Sequence, residues 1–135
     1  MDLKQSMMAS ASGLKAQSTR MRVISENLAN AGTQASEPGG DPYRRKLITF
    51  KAELDRASEV TLVKSDRVVH DQSDFGKKYD PGNPAADADG YIKTTNVNSM
   101  VEMMDMQQAQ RSYRSNLNAM ESARRMATQT VELLR

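Results

Sequence analysis

The residues that could do chemistry gather between His70 and Gly90. His70 is the single histidine of the chain, and Asp71, Ser73 and Asp74 follow it. A triad needs a nucleophile held on its base and a third group to orient that base. A serine three residues along a polar stretch is no evidence of such geometry, so His70 reads as a surface or structural residue. Asp87-Ala88-Asp89-Gly90 has the inner spacing of a calcium loop. That loop also needs an acidic ligand two residues earlier and a bidentate Glu six residues after the Gly. Ala85 and Asn96 stand at those positions, so the motif reads as an acidic turn. No carboxylate lies in an apolar setting that would raise its pKa for general-acid work. There is no glycine pattern for phosphate and no cysteine, which excludes thiolate metal sites, a Cys nucleophile and disulfides. The reading is a protein that is not an enzyme and needs no cofactor or metal.

The elements around this stretch explain more than the stretch itself. Met7, Leu14, Met21 and Leu28 recur every seven residues, with Leu3 and Ile24 at the companion heptad position, where Ser10 and Gln17 also fall. That spacing predicts an N-terminal helix with an interrupted coiled-coil stripe. Asp2 favours its start, Gly13 weakens it by about 1 kcal/mol relative to Ala, and Gly32 is placed to end it in a left-handed conformation. A second stripe, Met106, Tyr113, Met120, Ala127 and Leu134, with Met103, Leu117 and Val131 beside it, predicts a helix from Ser99 to Arg135. It would span about 55 Å at 1.5 Å per residue. Ser99 and Glu102 have the spacing of a capping box.

Between the stripes the pattern changes. Residues 33–42 are turn-formers, and a strand is expected around Leu47–Phe50. Residues 59–69 offer one or two β segments with Ser65-Asp66 as a turn, residues 71–90 an extended loop, and residues 91–95 a last short strand. Asp80, Pro81, Gly82, Asp87, Asp89 and Gly90 are expected to order that loop, because Asp caps turns, Pro fixes φ and Gly admits positive φ. The expected fold is mainly α with a small β-rich insert. Helices 1–32 and 97–135 pair as one discontinuous, coiled-coil-like domain around an insert at 33–96.

Composition narrows the function. With no Trp, two Phe, ten Met and 38% hydrophobic residues, little is available for a rigid core. Met suits adaptable contacts, so the stripes look meant for other chains. The net charge of +2 is thinly spread, and Arg44-Arg45-Lys46 is the only dense basic cluster. A nucleic-acid partner would show a concentrated basic face, so none is expected. No apolar run approaches the roughly 20 residues of a membrane span, and the first residues lack the apolar segment of a secretory signal.

Two stretches at opposite ends together resemble the bacterial flagellar axial proteins, the rod and hook components. They are Ser12-Gly13-Leu14, Met21, Ile24, Asn27-Leu28-Ala29-Asn30 and Thr33, and then Asn96-Val97-Asn98, Glu102-Met103, Met106, Gln110, Tyr113 and Asn116. GGDPYRRKLITF and YDPGNPAADADGYIKTTNVN, with the short length, look most like the proximal rod members. Arg114 departs from the acidic residue that often follows the Tyr. The resemblance implies a structural subunit of the flagellar basal body, in the periplasmic rod, exported by the flagellar type III apparatus without a cleaved signal. It implies self-association and contacts with other rod proteins, with membrane-ring and adaptor proteins at the rod base, and with the export apparatus. The terminal helices would form the inner tube around the export channel and pass torque outward.

The expected interface residues are Met7, Leu14, Met21, Ile24, Asn27, Leu28, Asn30, Met103, Met106, Tyr113, Leu117, Met120, Val131 and Leu134. Asn27 and Asn30, three apart on one helix face, would bond between subunits and fix their axial register. The rival reading is a helical chaperone or adaptor of the export system.

Overall fold

The computed structural model describes residues 3–134 of the 135-residue chain; Asp2 and Arg135, at the ends of the two expected helices, lie outside them. Two long helices bracket two small antiparallel sheets. In chain order the elements are α1 (Leu3–Ala29), β1 (Lys46–Asp55), β2 (Val60–His70), β3 (Gly76–Tyr79), β4 (Tyr91–Thr94) and α2 (Ser99–Leu133). The protein is therefore mainly helical with a β-rich middle, and its terminal helices pack together. Among the described residues no helix is long and apolar enough to cross a membrane.

Local chemistry sets the helix ends, and it differs from the spacing-based expectation at both. Gly32 does not take a left-handed conformation; the glycines that do are Gly39 and Gly90. Instead α1 closes by tightening. The Asn30 N–H donates to both Glu26 O and Asn27 O at 3.2 Å, and the Asn30 side chain covers Glu26 O at 2.7 Å. At the start of α2 the cap is Asn98 rather than Ser99. Asn98 Oδ1 accepts the N–H groups of Met100 and Val101 at 3.0 and 3.3 Å, satisfying two donors that the first turn leaves open. Glu102 has other partners, so no capping box forms.

In the middle, β1 pairs with β2 and β3 with β4. β2 runs unbroken through Ser65-Asp66, where a turn was expected. Opposite charges across the pair hold it extended. Asp66 lies 3.4 Å from Lys51, and Lys64 lies 3.3 Å from Glu53. β3 forms inside the stretch read as loop because β4 supplies its ladder, from Gly76↔Thr94 to Tyr79↔Tyr91. The rings of that last pair meet edge to face at 5.2 Å. The turn between them is held by its own acids. Asp87 accepts from the N–H groups of Asp89 and Tyr91, and Asp80 N donates to Gly90 O at 3.0 Å. Gly90 carries the required positive φ of 83°. A side chain there would also meet the Tyr79 ring at 3.0 Å.

Contacts divide the chain into two compact units. Unit 1 is residues 1–22, 48–67 and 107–135; unit 2 is residues 23–47 and 68–106. Each takes a part of both helices, and their cores differ. The buried apolar residues of unit 1 are Ala16, Val60, Ala109 and Ala123; those of unit 2 are Val23, Ile24, Ala85 and Ile92. In unit 1 the seam runs along small residues, and Gly13 is part of it. A Cβ on Gly13 would lie 2.8 Å from the Asn116 amide of α2. What looks like a helix weakness is a point of close approach. The large heptad residues Met7, Leu14 and Met21 consequently flank the seam, half-buried, instead of filling it.

Candidate functional site

A polar junction in unit 2 ties α1 and α2 to the start of β1. Asn27 and Glu102 are each 1% exposed. The Asn27 amide donates to Lys46 O at 2.8 Å and to Glu102 Oε2 at 3.1 Å. Its carbonyl accepts the Tyr43 hydroxyl and the Lys46 N–H, both at 2.9 Å. An Asn side chain has two donors and two acceptor lone pairs, so the hydrogen-bonding capacity of Asn27 is filled within the chain. Arg45 Nε donates to Glu102 Oε1 at 2.5 Å, and its other nitrogens lie 3.5 Å from Asp71 and 3.7 Å from Asp105. The Arg45 backbone N–H donates to Asn96 Oδ1 at 2.7 Å, and Asn96 donates on to Asp71 O and Ser73 O.

The electrostatics follow from these partners. Burial alone would lower the Arg45 pKa, but the hydrogen bonds and charges of Glu102 and Asp71 outweigh it and the pKa rises. The N–H and hydroxyl of Ser73, with Arg45, hold the Asp71 carboxyl below its ordinary value of 3.8. Burial raises the Tyr43 phenol. A buried carboxylate is costly unless it is both paired and hydrogen-bonded; Glu102 has Arg45 for the first and Asn27 for the second.

This arrangement absorbs the dense basic cluster. Arg44 donates to Asp71 O and Ser73 O at 3.0 Å and covers the Phe75 ring at 4.1 Å, and Lys46 lies 3.0 Å from Glu26. The structure does not assemble His70, Asp71 and Ser73 into a triad. Asp71 Oδ1 accepts the Ser73 backbone N–H at 2.9 Å, and the His70 carbonyl accepts from Gln72.

The remaining assembly candidates fall into four groups. Ile24 is buried in the unit 2 core. Leu28, Asn30, Met106, Tyr113 and Leu117 are half-buried, and Asn30 also accepts the Thr33 hydroxyl at 3.3 Å. Met103, Val131 and Leu134 are exposed at 53%, 63% and 83%. Met7 and Met120 line one open groove in unit 1 together with Leu3, Met8, Ala11 and Ala127. Sequence reasoning missed Arg45, Tyr43 and Asn96. Arg45 stood out only as part of a basic cluster and Asn96 only as part of the C-terminal signature.

Comparison with known proteins gives this geometry a context. Residues 7–34 match the family described as flagella basal body rod protein, and residues 88–133 match flagellar basal body rod FlgEFG protein C-terminal. The chain is 50% identical over 124 residues to the flagellar basal-body rod protein FlgC of Agrobacterium fabrum, covering 92% of this chain and 89% of that one. It is 36% identical to FlgC of Bacillus subtilis over 95% of each chain, and 38% identical to FlgC of Salmonella typhimurium over 90% of each.

Proposed function

The chain belongs to the FlgC family of flagellar basal-body rod proteins, and from that premise we propose that it is built into the rod through the apolar side chains of its two terminal helices. It is a structural subunit of the basal-body rod. The observation that carries the assembly reading is the exposure of two apolar groups on α2, Met100, Met103 and Met104 near its start and Met126, Val131 and Leu133 near its end, with Leu134 just beyond. Large apolar side chains left exposed in groups mark a protein contact. The interface set is Met7, Leu14, Met21, Leu28, Met103, Met106, Tyr113, Leu117, Met120, Val131 and Leu134. Ile24, Asn27 and Asn30 serve it from behind by fixing the ends of the helices from which the others project.

Segments 1–32 and 97–135 supply the inner, polymerising part, and 33–96 packs outward. The chain reaches the periplasmic rod through the flagellar export apparatus without a cleaved signal. It joins other rod proteins and the ring and adaptor proteins at the rod base, surrounds the export channel and transmits torque. The role is structural rather than catalytic, and it involves neither nucleic acid nor membrane insertion. The chaperone reading is not favoured, because its relatives over nine-tenths of the chain are rod proteins.

The test is to purify hook–basal bodies from the source bacterium, strip loosely bound protein and identify this chain by peptide mass spectrometry. A deletion strain serves as control. Presence in the stripped particle and no rod in the deletion strain are expected. Recovery only in the cytoplasm, beside export substrates, would sink the reading.

A further inference from the structure

Charge that is thinly spread along the sequence is sorted by the fold. Over the described residues unit 1 holds twelve Lys and Arg against six Asp and Glu, a net of +6. Unit 2 holds six against ten, a net of −4. Each unit exposes apolar side chains, and one feature of each concerns this contact. In unit 1 it is the open groove of about 560 Å³ lined by Leu3, Met7, Met8, Met120 and Ala127, with Lys4 in its wall. Exposed Arg124 lies on α2 four residues from Met120 and three from Ala127, on the same face. In unit 2 it is a knuckle at the first turn of α2. There Met100, Val101, Met103 and Met104 are 44–67% exposed.

We propose that the unit 1 groove of one copy receives the Met100–Met104 knuckle of a second copy, in a head-to-tail contact between oppositely charged units. This rests on the reading of the chain as a rod subunit and specifies how its copies meet. Opposite net charge steers the two surfaces together and penalises groove against groove, where +6 would face +6. Burial of flexible Met side chains in an apolar groove then supplies the holding contact. Because the groove and the knuckle are different surfaces, the contact is heterologous. Each added copy leaves one groove and one knuckle open, so association continues as a row instead of closing into a dimer.

The cysteine-free sequence allows a clean test. Full-length chains carrying Met7→Cys with one tag and Met104→Cys with another are expressed together in a strain lacking the native gene. Hook–basal bodies are purified and treated with a short bismaleimide. The expected product joins one chain of each tag, and same-tag products are absent. Particles that contain both chains but give no mixed product, or give same-tag products equally, overturn the contact while leaving the rod reading intact. If a Met variant fails to enter the particle, Lys4→Cys with Met100→Cys repeats the measurement at the rim. If even the unaltered chain is missing from the particle, the rod reading falls and the contact falls with it.

Discussion

The same two helices behave differently in the two units. In unit 2 they are tied together by a buried polar junction. Val23, Ile24 and Ile92 are buried, and the polar groups of Asn27 and Glu102 have their partners in the chain. Among the described residues of unit 1 the buried apolar ones are three alanines and one valine, while Met126, Val131, Leu133 and Leu134 face outward. Hydrophobic stabilisation scales with apolar area removed from water, so three alanines offset little of the entropy of ordering long helices. The difference separates a unit with large buried side chains and a filled polar junction from one with few apolar side chains buried.

The contrast can be tested unit by unit, and the largest effect lies in the polar junction. Arg45→Met leaves the Glu102 carboxylate buried without its counter-charge, which should cost about 3–5 kcal/mol in chemical denaturation. Adding Glu102→Met should recover most of that loss, since replacing a whole buried ion pair is often neutral. Little loss in the single variant would show that the junction opens to water. Asn27→Ala should cost about 2–3 kcal/mol, because the Lys46 backbone and the Tyr43 hydroxyl lose their partner inside.

In unit 1, Gly13→Val would push a branched side chain into Asn116 and should cost about 1–3 kcal/mol. The loss should appear as lower helicity by circular dichroism and faster amide exchange over 3–22 and 107–134, with 23–30 and 99–106 still protected. Uniform protection of both helices in a proven monomer would contradict the contrast itself.

The acid limb of stability supplies a smaller effect. The Asp71 carboxyl is held below 3.8 by Ser73 and Arg45. A depressed folded pKa contributes stability that is present above the unfolded value and lost as pH falls through the folded one. Asp71→Asn should therefore lower stability at neutral pH and flatten its fall below about pH 4. An unchanged acid limb would remove Asp71 from the account. The smallest effect on folding belongs to the knuckle. Met104→Lys at an exposed site should change stability by less than about 0.5 kcal/mol, yet it should abolish swimming in soft agar. Normal motility would detach the Met100–Met104 surface from assembly.

How far each feature was legible depended on the range of the interaction behind it. The two helices and their placement at the ends of the chain were written in a seven-residue period, because helix faces are set by local geometry. Ordering of the Asp80–Gly90 turn was equally local, since Asp87 caps donors two and four residues away. The capping box at Ser99 was legible but wrong. Glu102 had the right spacing, yet Arg45, just before β1 and 57 residues away, is the stronger partner.

Element types, the apolar stripes and the shortage of large core residues follow from the sequence alone, because composition and period act within a few residues. Only the tertiary structure decided that Gly13 is a contact and that Arg44, Arg45 and Lys46 are paired inside the chain. It also decided that evenly strewn charges become one basic and one acidic unit. Those outcomes depend on which distant segments the fold brings within a few ångströms, and hydrogen bonds and close packing act only at that range.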